Sequence, residues 1–346
     1  MNYNKPLLLV ICYLLISSLS IAQTRIKAVG DVMMGSYTPR TITPPNNGQI
    51  FIDSIADYLD SAAITFGNIE GVFVTEELKP VKCRPESREA GRCYEFGMPY
   101  TLSNTFKALN FTHASLDNNH VSDYGQKGIN FTKKRLDSLD IKYGGKKEPV
   151  LFTIDTTEFV LIAFGTSGVS WRVSDLENAK KIITKYDTLV DVVLVSFHGG
   201  AEGFSAQHTP NHTENYYGED RGNLIAFSHL AVDAGADLII GHGPHVLRGL
   251  ELYNNKLICY SLGNFLTYGN VSLKGVKGVG AIMDLIIDNK TGNFVSGQII
   301  PTKQLPPGIP YYDNAGEAIT ILQTLSKEDF PNSDLTINDD GSLSKK

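Results

Sequence analysis

The sequence is short of positive charge. Its 346 residues hold 31 lysines and arginines against 37 aspartates and glutamates, a formal net charge of −6 at neutral pH. That balance argues against a nucleic-acid binder, which carries a basic surface. Cysteine is also scarce, with four residues. One of them, Cys12, lies in an N-terminal apolar stretch without small residues before it, which disfavours a lipoprotein signal. The chain shows no internal repeat. Its first apolar stretch, Leu7–Leu15, is too short for a comfortable membrane span.

What is present is ordinary for a globular chain: 42% hydrophobic and 20% charged residues, enough for one large domain or one domain with an appendage. Lys5, the apolar Leu7–Leu15 and the small-x-small Ser20-Ile21-Ala22 read as a signal peptide over residues 1–22, with the mature chain starting near Gln23. An uncleaved N-terminal anchor is the alternative. Either way the protein is expected to be exported, periplasmic or associated with the cell envelope, where the compartment is oxidising. Cys83 and Cys93 bracket a polar loop and are either a local disulfide or two free thiols. Cys259 sits in an apolar run and reads as a small buried hydrophobe. Residues 23–302 read as the main domain, and residues 303–346 as a C-terminal extension, partly disordered, with one helix at Glu317–Leu325.

Short apolar strands alternate with amphipathic helices along the main domain. Strands are expected at Arg25–Val29, Ala63–Phe66, Phe111–Leu116, Phe159–Phe164, Val190–Phe197 and Leu257–Ser261, with a further buried strand running into Gly241. Helices are expected at Gln49–Ala62, from Ser103 as a cap through Leu109, and at Gln126–Leu139, Asp175–Tyr186 and Asn223–Ala234. Val279–Ile287 and Phe294–Ile300 read as a hairpin. Thr75–Tyr100 is polar and irregular, an excursion or lid. This alternation predicts an α/β fold with much of its sheet covered on both faces.

Five apolar strands end in polar clusters: Asp31, Asn68/Glu70, Asn119/His120, His198, and His242/His245. Ligands of α/β folds bind beyond the carboxyl ends of the strands, so these clusters are placed to converge. Imidazoles, carboxylates and an amide oxygen suit a divalent ion such as zinc, manganese, iron or magnesium, and two neighbouring ions would clamp the oxygens of a displacement reaction. His113 and His229 read as structural and Trp171 as packing. His208, His212, Glu214 and Asp220 read as a solvated loop.

Gly30-Asp31-Val-Met-Met-Gly35, Asn68-Ile-Glu70, Asn119-His120-Val-Ser-Asp123-Tyr-Gly125, His198-Gly-Gly-Ala-Glu202, Gly241-His242-Gly-Pro244-His245-Val and Ser261-Leu-Gly-Asn-Phe265 occur in one order. Together they resemble the CapA-type capsule-synthesis (PGA_cap) proteins over about residues 25–301. That family is associated with poly-γ-glutamate capsule production and resembles the calcineurin-like metallophosphoesterase superfamily. The resemblance implies a metallophosphoesterase-type sandwich of mixed sheets flanked by helices, holding one or two divalent ions. It implies Asp31 and His245 as ligands of a first ion, and Asn119, His198 and His242 as ligands of a second. Asn68 falls where a bridging aspartate is usual, and Glu70 is the candidate to supply the missing carboxylate. His120 resembles an acid–base histidine with Asp123 near enough to orient it. Glu202 is a partner of that site or a contact for a substrate amine. Arg248 either meets an anionic substrate or forms a salt bridge. Arg84, Arg88 and Arg92 suit a polyanionic glutamate chain, or else form a solvated face.

The sequence also departs from the pattern. Met33 stands where the superfamily has a histidine, Gly199 where an aromatic is common, Gly243 where a histidine is common, and Asp117 where a small residue is found. The last three are expected to widen the pocket. Three activities follow from the resemblance: a metal-dependent hydrolase or transferase acting on an anionic cell-envelope polymer, an exported phosphoesterase or nucleotidase acting on a small phosphoester, and a non-catalytic assembly or transport factor. The partners implied are that polymer and membrane-bound capsule-synthesis proteins.

Overall fold

The computed structural model describes residues 22–346; the expected signal peptide or anchor therefore lies outside the described residues, except for Ala22. Among the described residues no helix is long and apolar enough to cross a membrane.

Two sheets dominate. The strands that matter here are β1 (Gln23–Met33), β2 (Ile64–Ile69), β3 (His113–Ser115), β4 (Thr157–Gly165), β5 (Val192–His198), β6 (Leu238–His242), β7 (Lys256–Cys259), β8 (Asn264–Thr267), β9 (Val279–Asp288) and β10 (Phe294–Leu305). In the first sheet β1, β2 and β3 run parallel, β9 and β10 continue the other edge antiparallel, and β8 pairs with the end of β1. In the second sheet β4, β5, β6 and β7 are all parallel. Two-residue alternation sorts each strand's side chains into two layers. Ile26, Ala28, Ile64 and Phe66 meet Phe159, Leu161, Leu194 and Ile240 in one core between the sheets. The opposite faces carry their own cores: Val29, Val32 and Ile69 pack with Phe51, Phe106 and Ile129 from three helices, and Val160, Val193 and Val195 pack with Ala179, Ile183 and Phe227. The result is a helix–sheet–sheet–helix sandwich.

The helices follow the expected pattern with shifted ends. Asp175 caps Leu176–Asp187 by accepting from the Asn178 amide, and Asn223 caps Leu224–Asp233 by accepting from the Ala226 amide. Ser103 is inside the helix Leu102–Ala108 and does not cap it; its hydroxyl donates to the Tyr100 carbonyl. The excursion 75–100 is folded. It holds a short helix, Pro85–Glu89, a disulfide between Cys83 and Cys93, and a strand, Gly97–Pro99, paired with Val72–Val74.

The C-terminal segment corrects the expectation of partial disorder. Strand Ile309–Tyr312 pairs with β10, the helix Glu317–Asp329 seats Ala318, Ile319 and Leu322 in the inter-sheet core, and strands Leu335–Ile337 and Ser342–Lys345 finish the edge beyond β10. The helix expected at Glu317–Leu325 runs on to Asp329, on a face that is apolar every three or four residues.

Candidate functional site

The parallel strands place their carboxyl ends at one side of the sandwich. On β1 the chain changes partner to reach it. Up to Ala28 it pairs with β9, and from Asp31 it pairs with β8, with one extra β1 residue against β2 between Ala28 and Asp31. Gly30 permits the change: a Cβ there would lie 2.0 Å from the Gly263 carbonyl oxygen. A bulge of this kind re-aims the next side chain, and Asp31 is left fully buried at the site.

Around Asp31 the polar groups interlock. Asn68 Nδ2 donates to Asp31 Oδ1 and to Glu70 Oε2, both at 2.7 Å. His245 Nδ1 lies 2.7 Å from Asp31 Oδ2, and its Nε2 lies 3.7 Å from Glu202. His245 reaches this place from a left-handed backbone conformation (φ 57°), which histidine adopts more readily than bulkier residues. His198 Nδ1 is 3.7 Å from Glu70 Oε2. His198 and His242 are register partners on β5 and β6, and His242 Nε2 lies 3.1 Å from the Val29 carbonyl.

Burial and neighbouring charge act together here. Burial and the Asp31 charge push Glu70 up to about 8. Burial would depress His245, but the hydrogen bond and charge of Asp31 outweigh it and raise the imidazole to about 10. The same pair holds Asp31 below the ordinary carboxylate value against the opposing effect of burial. Burial lowers His198 and His242, so both rings stay neutral and keep a lone pair for a ligand.

A divalent ion fits these residues. One ligand atom each from Asp31, Glu70 and His198 lie within 4.8 Å of one another. Glu70 Oε1, both nitrogens of His198, His242 Nδ1, Asn119 Oδ1 and Asn264 Oδ1 are buried without a hydrogen-bond partner. Buried polar atoms are normally paired, and unsatisfied acceptors at the strand ends, with one nitrogen of each neutral ring among them, are what a cation would satisfy.

Beside this cluster, Asp123 Oδ2 accepts from the Phe96 amide at 2.7 Å and faces His120 Nδ1 at 2.6 Å. The amide fixes that oxygen as an acceptor, so Nδ1 of His120 carries a proton and Nε2 points toward Glu70 Oε1, 4.0 Å away. The Phe96 ring packs 4.3 Å from the imidazole. Lys82 lies 3.1 Å from the other Asp123 oxygen and donates to the Asn119 carbonyl. Asn119 and His120 open on a cleft of about 690 Å³ whose walls carry both charges, Lys82, Arg92 and Arg221 with Glu202 and Glu219.

Several expectations are corrected. Arg248 does not face the cleft: it is fully buried, paired at 2.8 and 2.7 Å with the two Glu214 oxygens, and donates to the Ala206 carbonyl. Glu214, expected in a solvated loop, is its buried counter-ion. Of the three arginines in the excursion, Arg88 is tied to Glu95 at 2.8 Å and Arg92 lines the cleft. Gly243 and Gly199 do not widen the pocket. A Cβ on Gly243 would come 2.4 Å from the Gly199 carbonyl oxygen, so the two backbones fill the space a side chain would need. Asp117 turns away from the cleft and accepts from the Lys146 amide and the Ser170 hydroxyl, each at 2.8 Å.

Three residues escape sequence reasoning. Asn118 is fully buried and bonds Asn68, Ile69 and His120. Arg221, 19 residues from its partner, reaches Glu202 at 2.7 Å. Asn264, the register partner of Asp31, lies within the motif Ser261–Phe265, which is the only hint of its role.

The chain is similar to known capsule proteins. The chain is 26% identical over 259 residues to the capsule biosynthesis protein CapA of Bacillus anthracis, covering 69% of this chain and 58% of that protein. It is 29% identical over 256 residues to the PGA biosynthesis protein CapA of Bacillus subtilis, covering 69% and 62%. The alignments thus span about three fifths of the length of these relatives. Among solved structures, a Staphylococcus aureus protein provisionally assigned as a 5′-nucleotidase aligns with 89% of this chain and 58% of its own at 15% identity and a TM-score of 0.48. Residues 25–268, which carry every strand-end cluster described above, match the family described as bacterial capsule synthesis protein PGA_cap, and the chain belongs to that family.

Proposed function

We propose that the protein is an exported, metal-dependent hydrolase or transferase acting on an anionic cell-envelope polymer, with a γ-glutamyl amide of poly-γ-glutamate as the bond it cleaves or transfers. The observation that carries this reading is the convergence of unpartnered, buried ligand atoms on Glu70, His198 and His242 beside an oriented His120–Asp123 pair. A scaffold that only bound polymer would have no use for a histidine whose Nδ1 proton is fixed and whose Nε2 points toward the Glu70 carboxyl at the edge of a cleft.

Asp31, Glu70, His198, His242 and Asn119 are the residues that would hold divalent metal. Such an ion supplies Lewis acidity toward a carbonyl or phosphoryl oxygen and acidifies water. The chain's own groups do the rest. Asp123 holds the His120 ring in one tautomer and stabilises it when it gains a proton, while Nε2 passes that proton between nucleophile and leaving group. Arg92, in the cleft wall, is the cation that suits a carboxylate of the polymer, while Lys82 and Arg221 are paired with Asp123 and with Glu202 and Glu219. Glu202, between His245 and Arg221, holds the loop 199–222 against the cluster.

Poly-γ-glutamate and a phosphodiester, each incubated with the purified protein in Mn²⁺ and after chelation, test the proposal. Shortening or transfer of poly-γ-glutamate that is lost on chelation and in His120→Ala is the expected result. Cleavage of the phosphodiester alone would move the activity to phosphoesters. Polymer binding without bond cleavage would make the protein an assembly or transport factor.

A further inference from the structure

Asn68 occupies the position where a bridging metal ligand is expected, but its hydrogen bonds fix which end of the amide faces the site. The chain of hydrogen bonds starts at the His120 backbone N–H, which can only donate. It donates to Asn118 Oδ1 at 2.9 Å. Asn118 Nδ2 therefore points the other way, to the Ile69 carbonyl at 2.7 Å, which can only accept, and to Asn68 Oδ1 at 3.1 Å. With its oxygen used there, Asn68 turns its NH₂ toward Asp31 and Glu70. An amide NH₂ has no lone pair for a metal. The second oxygen of Asp31 meets His245 Nδ1. Two nitrogen donors thus take the place between and beside the carboxylates that a second cation would fill. Unpartnered atoms remain on Glu70, His198 and His242, and ligand atoms of Asp31, Glu70 and His198 lie within 4.8 Å of one another.

We infer that the site takes one divalent ion, bound by Glu70 and His198 with Asp31, and that Asn68 and His245 are hydrogen-bonding struts outside the coordination sphere. Asn118 is the positioning residue that sets the orientation of Asn68. This rests on the metal-dependent reading above, narrows its ligands to the three whose atoms lie within 4.8 Å of one another, and leaves out the second ion that the family resemblance implies.

The test is metal stoichiometry, measured by calorimetric titration of the purified, chelator-stripped protein with Mn²⁺ and by elemental analysis after gel filtration. Circular dichroism of each variant checks that it is folded. Wild type is expected to bind one ion per chain. Asn68→Ala should still bind one, with affinity about 10–100-fold weaker, the usual effect of losing an outer partner of a ligand. Asn68→Asp replaces a donor by a carboxylate and should bind two. Two ions of equal affinity in wild type, or none in a folded Asn68→Ala, would overturn the inference while leaving metal-dependent catalysis intact. No ion in wild type, together with no turnover, would remove both.

Discussion

Arg248 and Glu214 give the sharpest test of the packing around the site. The guanidinium has no solvent exposure and Glu214 is 6% exposed. Their paired contacts at 2.7 and 2.8 Å are joined by Arg248 Nε on the Ala206 carbonyl at 2.7 Å and by the Ala201 amide on Glu214 Oε2 at 3.0 Å. Replacing Glu214 by Leu leaves a buried cation with no counter-charge, which costs about 3–5 kcal/mol. The double change Glu214→Leu/Arg248→Met removes both charges. It removes the uncompensated charge and leaves the smaller penalty of neutral groups, the Ala201 N–H and the Ala201 and Ala206 carbonyls, without side-chain partners. Urea unfolding followed by far-ultraviolet circular dichroism reads both losses from the shift in midpoint at constant slope. The double variant should be more stable than Glu214→Leu alone. A single variant within about 1 kcal/mol of wild type, or a double variant less stable than the single one, would refute the claim that this ion pair is closed off from water. Because the Arg221 amide donates to the Glu214 carbonyl and the Glu214 amide to Gly222, the single variant should also loosen the wall of the cleft.

Other expectations follow from single groups. Burial pushes His113 down to about 3, against an ordinary value near 6.5. The unfolded chain therefore takes up a proton there that the folded chain refuses. His113 supports the fold fully above pH 6.5, and that support falls with pH, by about 2 kcal/mol at pH 5. His113→Leu should reduce the loss of stability between pH 7 and 5 by about that amount, and an unchanged loss would contradict the assignment. Asp123→Asn should leave the fold intact but slow any turnover about 10²–10⁴-fold, because the His120 proton is no longer held at Nδ1; a change only in KM would argue for a binding role. Cys83→Ser with Cys93→Ser opens a loop of ten residues' separation and should cost up to about 3 kcal/mol. Limited proteolysis should then cut near Lys82–Arg92, and an unchanged digestion pattern would mean the loop is held by Glu95 and Arg88 alone.

The sequence exposed what depends on short-range pattern. Apolar runs ending in Asp31, Asn68, His198 and His242 identified parallel strands and their common end, because each strand's polar residue follows directly on its buried segment. The orientation of Asn68 was not legible, since it is set through Asn118 from His120, a relay across two strand ends. Arg248 looked like an exposed neighbour of the Gly-His-Gly-Pro-His loop; only the fold brings Glu214 to it from 34 residues away. The Gly199–Gly243 contact is likewise a meeting of two backbones, which leaves no periodicity to read. The last strands, Leu335–Ile337 and Ser342–Lys345, are too short and polar to announce themselves, and form because β10 offers an open edge.

The claim on which the rest depends is that the strand-end cluster is a metal centre. Anomalous diffraction from crystals of the protein soaked in Mn²⁺ tests it most directly. The account predicts one strong peak in contact with Glu70 and His198, with the Asn68 amide and the His245–Asp31 pair unmoved beside it. No peak in that cluster at saturating Mn²⁺, or peaks on the protein surface alone, would contradict it.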